Sequence, residues 1–200
     1  MTLKKEGYKE RLIDKKIEEC LKIFGAVSIV GPKYCGKTWT SLAHSKSVKY
    51  INTNDKKIYT LAQMDVNQIL DGEYPILIDE WQLIPSIWDC VRRKCDEDKI
   101  KGKFILTGSA TEKENTIDHS GAGRICKLDM GTMSLFESGE SDGYVSLNDL
   151  FKNIEFKGHL TKELSLEDIS SLIIRGGWPD NIENTPKESQ LIVKSYIKDI

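Results

Sequence analysis

Long apolar runs are missing from this sequence: the longest, such as Ala26 to Val30, fall far short of the roughly 20 residues of a membrane-spanning helix. A transmembrane helix is therefore excluded. The opening stretch, Met1 to Glu10, is crowded with charge and lacks the apolar segment of a signal peptide, so the expected compartment is the cytoplasm. A surplus of one charge is missing too. Lys and Arg total 29 against 31 Asp and Glu, for a net charge of −2 and a pI near 6.0. That balance lacks the positive field of a dedicated nucleic-acid binder, so DNA binding is not supported. A local run of Arg92, Arg93, Lys94, Lys99, Lys101 and Lys103 is interleaved with Asp89, Asp96, Glu97 and Asp98, the pattern of a solvated helix face.

Cysteine is sparse and unpatterned. Cys20, Cys35, Cys90, Cys95 and Cys126 are odd in number and contain no C-x-x-C, so they are expected to be free thiols. His44, His119 and His159 have no metal-ligand spacing, and no zinc site is expected. A G-x-G-x-x-G dinucleotide fingerprint is absent, as is the Asn/Thr-Lys-x-Asp base-reading motif of GTPases. What remains is a 200-residue chain with 39% apolar residues and a mean hydropathy of −0.40, enough for one globular domain and an appendage.

Tyr8, Leu12, Ile13, Ile17, Cys20, Leu21 and Phe24 recur at helical spacing and predict an amphipathic helix ending at Gly25. Three apolar strands follow: Ala26–Val30, Pro75–Ile78 and Phe104–Leu106, with further candidates at Val48–Ile51 and Ile125–Leu128. Helices are expected from Gly36-Lys37, over Leu61–Leu70 with Leu61, Met64, Ile69 and Leu70 inward, and over Ile84–Cys95. Strands alternating with helices predict an α/β fold with a mainly parallel sheet flanked by helices. Beyond residue 131 only helical segments remain, clearest at Leu147–Phe151, Leu166–Ile174 and Gln190–Ile200.

The first strand runs into Gly31-Pro32-Lys33-Tyr34-Cys35-Gly36-Lys37-Thr38, a full match to G-x-x-x-x-G-K-[ST] between a strand and a helix. This spacing lets backbone N–H groups wrap a phosphate, while Lys37 supplies a charge to the β/γ oxygens and Thr38 a hydroxyl to Mg²⁺. The expected nucleotide-binding set is Gly31, Pro32, Lys33, Tyr34, Cys35, Gly36, Lys37, Thr38 and Trp39. Cys35, among the loop amides and near Lys37, is a candidate for enhanced thiolate character. Its alkylation would then block ATP; the alternative is a buried, inert thiol.

The second strand delivers Asp79 and Glu80 at its end, as a Walker B segment does. Asp79 is expected to hold Mg²⁺ together with Thr38, and Glu80 to polarise the attacking water. Ser109, with Thr107 as second choice, is placed to sense the γ-phosphate. Arg124, after Ser120-Gly121-Ala122-Gly123, could bring a guanidinium to the developing charge, within this chain or from a neighbour. Arg175-Gly176-Gly177 reads more simply as a helix stop.

These blocks together resemble a family: the prokaryotic AAA+ superfamily ATPases catalogued as AAA 14 with a C-terminal DUF4143 domain. The match is carried by Gly31–Thr38, Leu77-Ile78-Asp79-Glu80-Trp81-Gln82, Phe104-Ile105-Leu106-Thr107-Gly108-Ser109, Ala122-Gly123-Arg124-Ile125 and the later Gly176-Gly177-Trp178-Pro179. The resemblance implies an AAA+-type P-loop NTPase core followed by helices, an ATP/Mg²⁺ site, and the sensor and arginine roles for Ser109 and Arg124.

The expected organisation is an N-terminal helix over 1–24, an ATPase core over 25–131, and a helical lid or linker over 132–200. That linker would lead to a C-terminal domain absent from this chain, because the final helix runs to Ile200 without a stop signal. The expected function is Mg²⁺-dependent ATP hydrolysis, with nucleotide as ligand and a homo-oligomer or protein partner left open. The alternative is a nucleotide-gated partner-binding or scaffold module with little hydrolysis. A P-loop kinase is disfavoured, because a water-activating acid beside the magnesium acid serves it little.

Overall fold

The computed structural model describes residues 2–52, 56–109, 121–152, 154–155, 158 and 163–198. The chain divides into two compact units, Met1–Gly131 and Thr132–Ile200. The first contains α1 (Asp14–Ile23), β1 (Ala26–Gly31), α2 (Lys37–Ala43), β2 (Ser47–Tyr50), α3 (Lys56–Met64), β3 (Ile76–Asp79), α4 (Ser86–Asp96), β4 (Phe104–Ser109) and β5 (Ile125–Asp129). The strands form one five-stranded sheet in the order β2-β3-β4-β1-β5, with every neighbouring pair parallel. This is the expected α/β P-loop fold.

The apolar strands are buried on both faces, and the period of two in a strand sorts their residues to opposite sides. Ala26, Ile76, Ile78, Phe104, Leu106 and Ile125 join one core with Ile51, Ala62, Ile69, Trp81, Ile87, Trp88 and Val91. Their alternates Val27, Ile29, Leu77 and Ile105 join a second core with Ile17 and Cys20 of α1, Leu42 of α2, Cys35 and Met130. The five cysteines are free thiols.

Three expectations are corrected. The first helix begins at Asp14 rather than near Tyr8, because Tyr8 turns its hydroxyl onto the Asp14 carboxylate, 2.8 Å from Oδ1. The helix expected over Leu61–Leu70 is two elements. Asp65 is extended, and its side chain accepts from the Asn67 N–H, opening a 3₁₀ turn over Val66–Ile69. Met64 is consequently 80% exposed instead of inward. Lys103, assigned to a solvated face, is fully buried. Its Nζ donates to the Lys94 carbonyl and, at 2.8 Å, to Asp98, binding the end of α4 to the start of β4.

The second unit contains α5 (Leu147–Phe151), α6 (Leu166–Arg175) and α7 (Pro186–Lys198). Ser165 and Asp168 form a capping box that starts α6, and Gly176 at φ 64° stops it. The last helix opens four residues before the expected Gln190, at Pro186. Proline suits a first helical position, and the Glu188 carboxylate accepts from the Thr185 N–H at 2.9 Å. Among the described residues no helix is long and apolar enough to cross a membrane.

Candidate nucleotide site

The parallel register brings three strand ends together. Asp79 of β3 lies beside Thr107 of β4, and Ser109 of β4 lies beside Gly31 of β1, where the loop begins. The central β4 thus stands between the strand carrying the loop and the strand carrying the acids.

The loop itself depends on two glycines. A Cβ at Gly31 would lie 2.1 Å from the Met130 carbonyl oxygen, so only glycine permits that approach. Gly36 has φ 98°, a left-handed conformation that an L side chain resists. Pro32, Lys33 and Tyr34 are exposed at the tip, with Tyr34 also left-handed at φ 62°. Trp39, on the first turn of α2, is 47% exposed. Lys37 is buried, and its ammonium donates to the carbonyls of Gly31 at 2.9 Å and Pro32 at 2.8 Å.

Asp79 is the centre of the polar cluster. The Thr38 hydroxyl donates to it at 3.1 Å, and the Thr107 hydroxyl donates to its Oδ1. Burial pushes the Asp79 carboxyl above the usual carboxylate range; the Thr107 and Thr38 hydroxyls pull the other way without cancelling it. Glu80 follows at φ 57°, ψ 42°, an unfavourable conformation for a residue with a Cβ. Its carboxylate accepts a hydrogen bond from the Gln82 amide. The next residue, Trp81, is buried against Trp88 with ring centroids 5.0 Å apart.

A carboxylate and a hydroxyl in mutual contact are the hard oxygen donors that Mg²⁺ prefers, and it commonly binds through one or two such groups plus phosphate. The donors at Asp79 and Thr38, beside a glycine-shaped backbone cradle and a buried lysine, therefore fit Mg²⁺ and a polyphosphate.

Residues 24–138 match the sequence model of a family described as AAA domain. The chain belongs to the AAA domain family. Its fold is similar to that of a Walker-type ATPase of Pyrococcus abyssi at 12% identity and a TM-score of 0.52, covering 99% of this chain and 76% of that one. The AAA domain of FIGL-1 in complex with ADP is a further match at 12% identity and a TM-score of 0.45, covering 70% of this chain and 60% of that one. No curated protein sequence matches it.

Within this AAA domain the expected residues separate into two groups. Gly31, Gly36, Lys37, Thr38, Asp79 and Glu80 gather at the carboxyl edge of the sheet, with Thr107, the second choice as sensor, touching Asp79. Ser109 is in register with Gly31, while its side chain lies outside the described residues, as does Ser120. For Arg124 the within-chain alternative is corrected. Its carbonyl accepts from the Ala26 N–H at the amino end of the sheet, and its guanidinium pairs with Asp96 at 2.9 Å. Five strand steps of about 3.3 Å place it about 17 Å from the loop, too far to serve the phosphates of its own chain.

For Cys35 the buried alternative holds. Its thiol is wholly buried and donates to the Met130 carbonyl at 3.5 Å, so it packs the inner side of the loop instead of facing reagents. Arg175 is a helix-end residue whose guanidinium pairs with Glu140, in keeping with the helix stop. Two participants had no role assigned from the sequence. Gln82 stands in the Asp-Glu-Trp-Gln run that carries the family resemblance, without a role of its own there. Arg11 carries no local signal, because its partners lie 24 and 120 residues away.

Proposed function

We propose that this AAA domain binds ATP with Mg²⁺ and hydrolyses the β–γ phosphoanhydride bond. The observation that supports the reading is the Thr38–Asp79–Thr107 contact, in which the Asp79 carboxylate accepts from the hydroxyl at the end of the loop and from that of β4. Lys37 is held at the loop by carbonyls that a phosphate oxygen can replace as its partner. Mg²⁺ would sit at Asp79 and Thr38 and neutralise the charge on the β and γ oxygens. Glu80 is the base. It takes a proton from the attacking water while the Gln82 amide, donating to the carboxylate, fixes its position.

The test uses two substitutions in the full chain. Lys37→Ala is expected to weaken MgATP binding about 100-fold, as the loss of a lysine–phosphate contact does. Glu80→Gln is expected to bind MgATP as wild type does while phosphate release falls about 10²- to 10⁴-fold. Equal nucleotide affinity in wild type and Lys37→Ala would remove the loop from the site. Undiminished hydrolysis by Glu80→Gln would reassign the base.

A further inference from the structure

Arg11 lies ahead of the residues that match the AAA domain, yet its side chain ends in the phosphate-binding loop. The residue is buried, at 7% exposure. Its Nη1 donates to the Cys35 carbonyl at 2.8 Å and its Nη2 to the Gly131 carbonyl at 2.9 Å. One guanidinium therefore bridges the loop after β1 and the segment that follows β5.

The segment that presents Arg11 is itself anchored. The Leu3 N–H donates to the Ser45 carbonyl at 2.9 Å, and the Tyr8 hydroxyl lies 3.2 Å from the Thr40 hydroxyl of α2. Asp14 accepts from the Arg11 N–H at 2.8 Å and from the Tyr8 hydroxyl, and His44 Nε2 lies 3.0 Å from its Oδ1. Tyr8, Asp14, Thr40 and His44 thus hold the approach to Arg11 on the back of the helix that continues the loop.

The Cys35 carbonyl precedes the first backbone bond of α2, which runs from the Thr40 N–H to the Gly36 carbonyl at 3.0 Å. In a planar trans peptide the carbonyl of one residue and the N–H of the next point in opposite directions. Holding the Cys35 oxygen toward Arg11 therefore turns the Gly36 N–H the other way. A loop that binds an anion through its amides needs that division, with N–H groups on the concave side and carbonyls satisfied behind them.

We propose that Arg11 is a positioning residue of the phosphate-binding loop: by capturing the Cys35 carbonyl and tying it to Gly131, it fixes the Cys35–Gly36 peptide with its amide toward the bound phosphates. The proposal rests on the loop being a nucleotide site. A lysine keeps the charge but puts a single nitrogen where the planar fork holds two apart, so it does not reproduce the separate donors that reach the two carbonyls.

The experiment measures MgATP affinity by calorimetric titration for the full chain, for Arg11→Gln and for Arg11→Lys, with melting temperatures recorded in the absence of nucleotide. Arg11→Gln is expected to weaken MgATP about tenfold or more at a temperature where it remains folded, the loss of one charge-assisted hydrogen bond. Arg11→Lys is expected to fall several-fold short of wild type. If Arg11→Gln does not fold, Arg11→Lys decides. Unchanged affinity in the folded variants, even with a lowered melting temperature, would overturn the proposal and leave the nucleotide site standing. Absence of MgATP binding by wild type would overturn both.

Discussion

Asp14 and Asp79 are carboxylates taken out of water, and their partners give them opposite pH behaviour. Burial raises Asp79 on balance, so its ionised form opposes folding, which is the cost of keeping the acid proposed to hold Mg²⁺ inside. Burial also pushes Asp14 up, but hydrogen bonds from His44, the Arg11 N–H and the Tyr8 hydroxyl outweigh it and hold it below the usual range. The native state thus binds the Asp14 proton more weakly than the unfolded chain. Its stabilisation is present above the unfolded carboxylate range and is lost as pH falls through the lower folded value. Asp14→Asn is expected to cost about 1–3 kcal/mol at pH 7, the value of hydrogen bonds to a charged group. The deficit should shrink as the pH is lowered below about 4, which urea unfolding at several pH values measures. A deficit independent of pH would assign the effect to packing instead of ionisation.

At the scale of elements, the sheet owes its stability to strands whose alternate residues enter two different cores. Leu77 is fully buried in the core that includes α1 and α2, between Ile76 and Ile78, which belong to the other. Leu77→Ala is expected to destabilise the chain by about 2–5 kcal/mol with an unchanged denaturant slope. A loss below about 1 kcal/mol would mean that this face is not close-packed. Such strands were legible in the sequence because a strand buried on both faces reads as a bare apolar run bounded by turn residues. The loop and the two acids were legible for a related reason: their chemistry depends on short, fixed spacings. Elements decided by a single polar contact were not. Asp65 breaks the third helix by capping the following turn, and Tyr8 fits a helical period while serving the Asp14 cluster. For Arg124 the parallel order already spoke against a role within the chain, since a residue just ahead of a strand lies at the edge opposite the loop that follows β1. Cys35 was left between a reactive and a buried thiol because closeness to a lysine in sequence says nothing of burial.

On the scale of the whole molecule, the loop, the acids, Thr107 and Arg11 all fall in the first unit, Met1–Gly131. The binding energy of a nucleotide should therefore be felt as stability of that unit, by mass action on its folded state alone. At a concentration of MgATP about 100 times its Kd, the added stability is about 2.7 kcal/mol. For a unit of this size that corresponds to a rise in melting temperature of roughly 5–15 °C. Hydrogen exchange gives the same quantity residue by residue: protection should increase along β1, β3 and β4, which converge on the site. Lys37→Ala should cut both effects to about 0.4 kcal/mol at the same nucleotide concentration, because a Kd about 100 times weaker leaves the nucleotide at only about its Kd. Arg11→Lys should retain them in reduced measure, since weaker binding lowers the logarithm and not the coupling. A melting temperature that rises equally in wild type and Lys37→Ala would place the stabilising nucleotide elsewhere than in the loop.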